Sequence, residues 1–319
     1  MRFDAIIAAT GCGFEPTSFP GSRKKGVHIL DGANRYVQLG RLRSSFADIV
    51  VKGEGARAYQ VAGELCGDGR RVRVLATHWK HGEPSPAVRD VLEDTAEERG
   101  VSTMKGILGK AVGAGSLEAI VVEGSVIPCD TLTVLPKRIP RVVPMEAQMG
   151  TKGGIVVDRN LMTSSPSVFA AGGCAELSNG PLSSETLEER ATQSGRIAGA
   201  NSLGSRYAVH PAATTVVAIF GLRWTRMILG ATASDIGGRP ASIVSQRVGS
   251  TSACTINFER VSGRVIGIET IEEMTNASVE MPPISQGAES LRTLAYCSSS
   301  DISLVSDTAR LGMNTWLNS

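Results

Sequence analysis

Apolar and polar residues along this chain repeat with two different periods, and the changes of period outline its elements. The clearest succession begins at 48–52, a β-branched run typical of a buried strand. Residues 57–67 follow with apolar side chains at helical spacing, namely Ala58, Val61, Ala62 and Leu65. Residues 71–75 then alternate as a second strand. A strand, a glycine-rich turn, a helix and a strand in so short a stretch predict a βαβ unit of a parallel sheet.

The same patterns predict elements on both sides of this unit. Strands are predicted at 3–9, 27–30, 116–122, 125–134 and within 154–172, and helices at 32–43, 86–98 and 185–200. The strand at 3–9 is expected to be buried and to be followed by a Gly-rich turn at 10–13. Residues 116–134 are expected to form a hairpin-rich insertion. The proline-punctuated, basic stretch 136–144 is expected to be a domain boundary.

The pattern changes after Tyr207. Alternating strands separated by turns are predicted at 216–220, 241–248, 253–258 and 265–270, followed by helices at 284–297 and 301–311. Such a succession of strands predicts one antiparallel sheet. The expected fold class is therefore α/β, with Rossmann-like units followed by a C-terminal α+β region.

Composition narrows the possible functions. The chain has 42% hydrophobic and 4% aromatic residues and a formal net charge of +2, so it offers neither the charge nor the stacking surface that nucleic acid favours. No apolar run reaches the ~18 residues of a membrane-spanning helix. Six scattered cysteines and four histidines show no zinc-ligand spacing. Isolated cysteines and a start without a signal-peptide layout favour a cytoplasmic location.

The turn of the βαβ unit carries the first candidate site. Gly53, Gly55 and Ala58 follow the strand and open the helix in a Gly-x-Gly-x-x-Ala pattern. The first glycine permits a tight turn, the second lets backbone approach a pyrophosphate, and the small third residue allows close helix–strand packing. We predict a dinucleotide site here. The alternative is a doubly wound unit that no longer binds nucleotide.

The end of the second strand bears on the choice between NAD and NADP. An NAD site places Asp or Glu there to hold the ribose 2′-hydroxyl. This chain has Leu-Ala-Thr-His at 75–78, with Lys80 and His81 just beyond. These two residues favour NADP at least as much as NAD if they approach a 2′-phosphate. The alternative is that they belong to a solvated loop.

Several blocks, in order, resemble the pyridine nucleotide–disulfide oxidoreductases, most closely the coenzyme A-disulfide reductase and NADH oxidase branch. The sequence around Thr10 and Gly11 resembles the family's first Thr-Gly strand, and 155–175, ending Ala-Gly-Gly-Cys-Ala, resembles its late flavin signature. Further matching blocks lie at 193–201, 217–222 and 258–267. The resemblance implies FAD and NAD or NADP as cofactors, with Thr10, Gly11, Gly172 and Gly173 at the flavin.

The departures from the family pattern concern the cofactor sites. Gly173 replaces the aspartate that bonds the flavin ribityl chain, and Lys137 replaces a glycine after the nucleotide-binding insert. The family's N-terminal strand–GxGxxG–helix, which binds the ADP half of FAD and precedes the single redox cysteine, has no counterpart in the sequence. Cys174 and Cys12 follow or lie within glycine-rich turns, and we expect packing roles for both rather than redox roles.

The resemblance also implies an organisation and a function. It divides the chain into a remnant of an FAD-binding domain (1–40), an NAD(P)-binding domain (41–145), the rest of the FAD-binding domain (146–206) and a C-terminal dimerisation domain (207–319). The implied function is hydride transfer from nicotinamide to FAD and on to a disulfide, polysulfide or similar acceptor. The chain would act as a homodimer or as a subunit that shares FAD with a partner chain. The alternative is an inactive relative that serves as a scaffold or regulatory subunit of a redox complex.

Overall fold

A computed structural model describes residues 3–42, 47–76, 83–177, 188–209, 213–228, 241–259 and 265–274. The helices are α1 (Ala33–Leu42), α2 (Gly55–Leu65), α3 (Pro86–Glu98) and α4 (Glu188–Ser202). The strands before α3 are β1 (Ile6–Ala8), β2 (Cys12–Phe14), β3 (Val27–Ile29), β4 (Asp48–Gly53) and β5 (Arg71–Ala76). Those between α3 and α4 are β6 (Val101–Met104), β7 (Leu108–Val112), β8 (Ala119–Val122), β9 (Ser125–Pro128), β10 (Thr131–Val134), β11 (Arg138–Pro140), β12 (Ile155–Val157), β13 (Val168–Ala170) and β14 (Ala175–Leu177). After α4 come β15 (Ala213–Ile219), β16 (Leu222–Ile228), β17 (Ala241–Arg247), β18 (Ala253–Glu259) and β19 (Val265–Glu273).

A five-stranded parallel sheet in the order β3-β10-β4-β5-β6 forms the nucleotide lobe. The predicted βαβ unit is β4–α2–β5, with α2 beginning at Gly55 rather than at residue 57 and ending before Gly67, whose φ is +96°. Residues of β4 and β5 are buried on both faces, as expected for a parallel sheet covered on two sides. The predicted α/β class is confirmed.

The hairpin predicted over 116–134 is only partly observed. Strands β7, β8 and β9 form a three-stranded antiparallel sheet, but β10 leaves it and joins the parallel sheet between β3 and β4. The break lies at Asp130, whose carboxylate accepts hydrogen bonds from the N–H groups of Ala47 and Asp48 at 3.0 and 2.9 Å. This contact fixes the start of β10 beside the start of β4.

The strands that precede and follow the nucleotide lobe form two small parallel pairs, β1 with β13 and β12 with β14. Their core includes Ile155, Leu161, Phe169 and Ala198 of α4. The buried strand predicted at 3–9 is shorter, and Ile6 and Ile7 are 40% and 38% exposed. The prediction of burial was wrong because, within the described residues, β1 pairs with one neighbour only.

The segment predicted to be a turn and the segment predicted to be a domain boundary form strands that pair with each other. The Gly-rich turn predicted at 10–13 contains β2, and the boundary region 136–144 contains β11. The two strands pair antiparallel, with Phe14 opposite Arg138 and Cys12 opposite Pro140. This β2–β11 ribbon connects the nucleotide lobe to the part of the chain built from β1, β12, β13, β14 and α4, which we call the signature lobe.

The C-terminal sheet is antiparallel, in the order β15-β16-β19-β18-β17. The pattern did not predict β16, which follows β15 through a two-residue turn at Phe220 and Gly221, with φ of +55° and +78°. Positive φ at both central residues is the geometry of a tight hairpin turn. The buried side chains of this C-terminal sheet share one hydrophobic core with α2 and α3 of the nucleotide lobe. The helices predicted at 284–297 and 301–311 lie outside the described residues.

Candidate functional site

The turn between β4 and α2 has the close packing that the glycine pattern predicts. A Cβ added to Gly53 would lie 2.7 Å from Leu135 Cδ1, so only glycine fits without displacing that side chain. Gly55 has a φ of +40° and is buried at the first position of α2. Ala58 is fully buried against the sheet. The structure thus brings Gly53, Gly55 and Ala58 together at the carboxyl end of β4.

This turn also lies where the winding of the sheet reverses. From β4 the chain proceeds through α2 to β5 and then to β6, whereas β10 lies on the other side of β4. In open α/β sheets, ligands bind in the crevice outside the carboxyl ends of the strands at such a reversal. Gly53 and Leu135 meet at the mouth of this crevice, since Leu135 N–H donates to Lys52 O at 2.8 Å. The described residues therefore fit a dinucleotide pyrophosphate at the N-terminus of α2.

Arg57 is a feature of this site that the pattern did not reveal. Its Nη1 donates to the carbonyl oxygen of Pro136 at 3.2 Å, and its guanidinium carbon lies 5.7 Å from the centroid of the Phe14 ring. The available signal was a charged residue on the first turn of the fingerprint helix, inside the glycine motif. Arg57 ties α2 to the β2–β11 ribbon.

The structure leaves the choice between NAD and NADP as a prediction. The described part of β5 ends at Ala76. Thr77, His78, Lys80 and His81 lie outside the described residues.

The residues expected at the flavin lie at the carboxyl ends of β1 and β13. Gly11 and Gly172 have φ of +73° and +72°, values that glycine adopts without strain. Thr10 Oγ1 donates to the carbonyl oxygen of Arg141, and the Arg141 N–H donates to Gly11 O at 3.0 Å. Thr10, Gly11, Gly172 and Gly173 are therefore brought to one edge, next to the β2–β11 ribbon.

Gly173 is confined by the turn that follows β1. A Cβ added to it would lie 3.2 Å from Cys12 Cβ and 3.4 Å from the carbonyl carbon of Gly11. The Gly172 N–H donates to Ser194 Oγ at 3.0 Å and so is used within the fold. This edge therefore lacks the aspartate, and a side chain at position 173 would fit only if Cys12 or Gly11 moved by a few tenths of an ångström.

The cysteines near this edge are packed as small side chains. Cys174 is fully buried, and its Sγ lies 3.3 Å from the carbonyl oxygens of Ala8 and Ala171. Cys12 is half-buried beside Gly173.

Cys129, in the nucleotide lobe, is buried, and burial raises the pKa of its thiol to about 11. Such a thiol is protonated at neutral pH and a poor nucleophile.

A buried carboxylate that the pattern did not predict organises the loop before β12. Glu176 is 6% exposed and accepts hydrogen bonds from the N–H groups of Lys152 and Gly154 at 3.1 and 3.2 Å. A Cβ on Gly150 would lie 2.2 Å from the Glu176 carboxyl carbon, so the backbone wraps closely around the charge. The contacts are all internal, which assigns Glu176 a structural role.

In the described ranges, no group of three or more His, Cys, Asp or Glu side chains is arranged to hold a metal ion. No described helix has the length and apolarity needed to cross a membrane.

Comparison with known proteins decides the family. The model of the pyridine nucleotide-disulphide oxidoreductases matches residues 1–198, which include the β4–α2–β5 unit and the glycines Gly11, Gly172 and Gly173. The chain belongs to this family. The family predicted from the sequence blocks is thereby confirmed.

Individual relatives match about half of the chain. Monodehydroascorbate reductase 5 of Oryza sativa is 31% identical over 191 residues, which cover 55% of this chain and 38% of that protein. Rubredoxin-NAD(+) reductase of Pseudomonas putida is 30% identical over 182 residues, which cover 54% of this chain and 46% of the relative. The chain thus spans about half the length of these relatives or less.

Solved structures match over a longer range. The NAD-dependent persulfide reductase from A. fulgidus superposes with a TM-score of 0.73 over 100% of this chain and 64% of its own, at 19% identity. At this identity the likeness establishes the fold, including the C-terminal sheet, and nothing about the reaction.

Proposed function

We propose that this chain is part of a flavin-dependent NAD(P)H oxidoreductase that passes a hydride from nicotinamide to FAD and on to a disulfide, polysulfide or similar acceptor. The observation that carries the proposal is the β4–α2–β5 unit with Gly53, Gly55 and Ala58 at a reversal of the sheet. Membership of the family supports the flavin and nicotinamide chemistry. The cofactor, not the protein, supplies the electron-accepting ring.

The chain's own residues have distinct tasks in this proposal. The N-terminus of α2 provides backbone N–H groups and a positive dipole end for the pyrophosphate. Gly53 keeps the turn close to Leu135, so that the pyrophosphate reaches the backbone of the turn. Thr10, Gly11, Gly172 and Gly173 would border the flavin, and Arg141 would hold the first Thr-Gly turn in place.

Glycine substitutions at the two ends of α2 test nucleotide binding. Gly55 and Gly67 both have positive φ, so Gly55→Ala and Gly67→Ala introduce comparable backbone strain of roughly 1 kcal/mol. We expect Gly55→Ala to weaken binding of NADH or NADPH about tenfold or more and Gly67→Ala to leave it unchanged, measured by isothermal titration calorimetry. Equal affinities in the two variants would contradict a nucleotide site at this turn.

Shared FAD is part of the same proposal. We propose that the described residues border FAD on one side only, and that the ADP half of FAD is bound by a segment or partner chain outside this sequence. The purified chain alone is then expected to be colourless or weakly yellow at about 450 nm, and to gain that absorbance when such a partner is co-purified. Stoichiometric FAD in the chain alone would contradict sharing.

The remaining organisation is proposed on the family likeness. We propose the domain division at 40, 145 and 206, homodimerisation through 207–319, and a cytoplasmic location. Light scattering of the purified chain tests the dimer. A monomer at micromolar concentration would contradict homodimerisation and favour a subunit of a hetero-oligomeric complex.

A second candidate function is an inactive scaffold or regulatory subunit of a redox complex. The observation in its favour is that a Cβ at position 173, where the family has aspartate, would lie only 3.2 Å from Cys12 Cβ. It predicts that the chain binds a flavoprotein partner without binding FAD or oxidising NAD(P)H itself. NAD(P)H oxidation by the purified chain with added FAD would eliminate this candidate.

A further inference from the structure

Arg57 occupies an unusual place in the fingerprint. It is the third residue of α2, between Gly55 and Ala58, where the helix faces the carboxyl edge of the sheet. Its side chain is half-buried. It reaches the Pro136 carbonyl at 3.2 Å and lies over the Phe14 ring at 5.7 Å from the centroid. These two contacts hold the guanidinium in one position.

That position lies across the crevice at the reversal of the sheet. Arg57 starts from α2, which follows β4, and Pro136 lies two residues beyond the end of β10. The strands β4 and β10 are neighbours, and Gly53 and Leu135 meet between them. A dinucleotide whose pyrophosphate rests on the N-terminus of α2 therefore lies within one helical turn of Arg57.

The charges around the turn favour a phosphate-binding role for Arg57. Glu54 lies in the glycine turn itself, at the N-cap position, and makes no side-chain cap to α2. A carboxylate there repels a pyrophosphate at close range. A guanidinium on the next turn offsets that repulsion and offers a planar set of donors suited to phosphate oxygens.

We propose that Arg57 is a dinucleotide-binding residue that also positions the β2–β11 ribbon over the crevice. Its fixed guanidinium supplies a charge-assisted hydrogen bond to the pyrophosphate while Phe14 and Pro136 keep it in place. The inference rests on the proposed function, because it assigns a contact within the same nucleotide site. It predicts that nucleotide affinity and the order of the ribbon depend on the same side chain.

Three variants of the full chain test the proposal. Arg57→Met removes the charge and keeps much of the apolar stem, Arg57→Lys keeps the charge without the planar fork, and Arg71→Met is the matched control. Arg71 begins β5 at the amino edge of the same sheet and pairs with Asp48 at 3.3 Å, so it lies away from the crevice. Dissociation constants for NADH, NADPH and AMP, together with backbone hydrogen exchange, are the measurements.

We expect Arg57→Met to weaken the tighter-binding dinucleotide about tenfold. Arg57→Lys should bind with intermediate affinity, and Arg71→Met should bind like the parent protein. AMP, which carries only one of the two phosphates, should lose less affinity than the dinucleotide in Arg57→Met, measured by ligand-observed NMR. Exchange within Cys12–Phe14 and Arg138–Pro140 should become faster in Arg57→Met alone.

The possible failures are distinguishable. If the parent protein binds neither NADH nor NADPH, the proposed function and this inference both fail. If the parent binds a dinucleotide and Arg57→Met binds it equally well, the inference fails alone. Faster exchange in the ribbon without loss of affinity also overturns it, because Arg57 would then have a structural role only. An equal loss of AMP and dinucleotide affinity overturns it as well.

Discussion

Single residues explain why the flavin edge differs from the family pattern. The missing aspartate at position 173 is not an isolated loss, because the backbone of Gly11 and the side chain of Cys12 approach the same point. Contacts of 3.2 Å between carbon atoms are tighter than a packed interior tolerates without movement. We therefore expect Cys12 and Gly173 to be a matched pair, so that an aspartate at position 173 alone does not restore flavin binding.

A double-mutant cycle tests this pairing. Gly173→Asp is expected to destabilise the chain by about 1–3 kcal/mol through overpacking, without gain of flavin binding. Cys12→Gly removes the opposing Cβ, so the double variant should recover about 1 kcal/mol relative to the sum of the single changes. Urea unfolding measures the coupling energy, and additive effects would contradict the matched pair.

Cys129 gives the chain a pH dependence with a definite sign. Burial raises the pKa of its thiol from 9.0 to about 11, so the folded state retains a proton that the unfolded state loses between these values. Stability from this group is complete below pH 9 and is lost as the pH rises towards 11, by about 2–3 kcal/mol in total.

The variant Cys129→Ala isolates this contribution. We expect the parent protein to lose stability relative to Cys129→Ala between pH 9 and 11, measured as the difference of their urea midpoints. Other groups titrate in the same range but are shared by both proteins. Parallel midpoint curves would show that the thiol does not govern this loss.

At the scale of elements, one buried carboxylate joins the C-terminal sheet to the nucleotide lobe. Glu269 of β19 is 3% exposed and accepts hydrogen bonds from Trp224 Nε1 at 2.8 Å and from the Ser85 N–H at 3.0 Å. Ser85 is the N-cap of α3, so the negative charge also faces the positive end of the helix dipole. Thr255 of β18 donates to Ser85 Oγ at 2.7 Å.

Truncating Glu269 removes the acceptor that Trp224 Nε1–H and the Ser85 N–H share. We expect Glu269→Ala to destabilise the chain by about 2–4 kcal/mol and Glu269→Gln, which keeps one acceptor oxygen, by about half as much. Glu272→Gln is the control, because its ion pair with Arg223 is partly exposed and its loss should cost under about 1 kcal/mol. If the urea midpoints show that Glu272→Gln destabilises the chain as much as Glu269→Ala, burial does not explain the contribution of Glu269.

The elements that the pattern predicted are those whose evidence is local. The β4–α2–β5 unit is contiguous, and its apolar spacing, glycine turn and flanking glycines all lie within one short stretch. The β2–β11 ribbon and the contact between Glu269 and Ser85 join residues far apart in sequence, 184 positions in the second case. Arg57 was missed for the same reason, since its partners are Phe14 and Pro136.

At the scale of the whole molecule, the buried side chains divide differently from the sequence blocks. Among the described residues, one core joins α2 and α3 to the C-terminal sheet, a second lies within the signature lobe, and a third lies between the parallel sheet and the β7–β9 sheet. Phe220 lies where the C-terminal sheet meets α2 in the first core. Its ring is edge-on to Tyr59, with the ring centroids 6.2 Å apart, and packs over Gly63. The nucleotide lobe and the C-terminal sheet should therefore unfold as one cooperative unit, whereas the signature lobe responds separately.

Matched truncations in the first two cores test this division. Phe220 and Phe169 are both 6% exposed, so alanine at either position should cost about 3–5 kcal/mol in its own core. We expect Phe220→Ala to raise native-state hydrogen exchange in both α2 and β16 while leaving β12 unchanged, and Phe169→Ala to do the reverse. If Phe220→Ala raises exchange in β16 but not in α2, the C-terminal sheet is an independent unit. A nucleotide bound at Gly53 would then stabilise the parallel sheet without stabilising the C-terminal one.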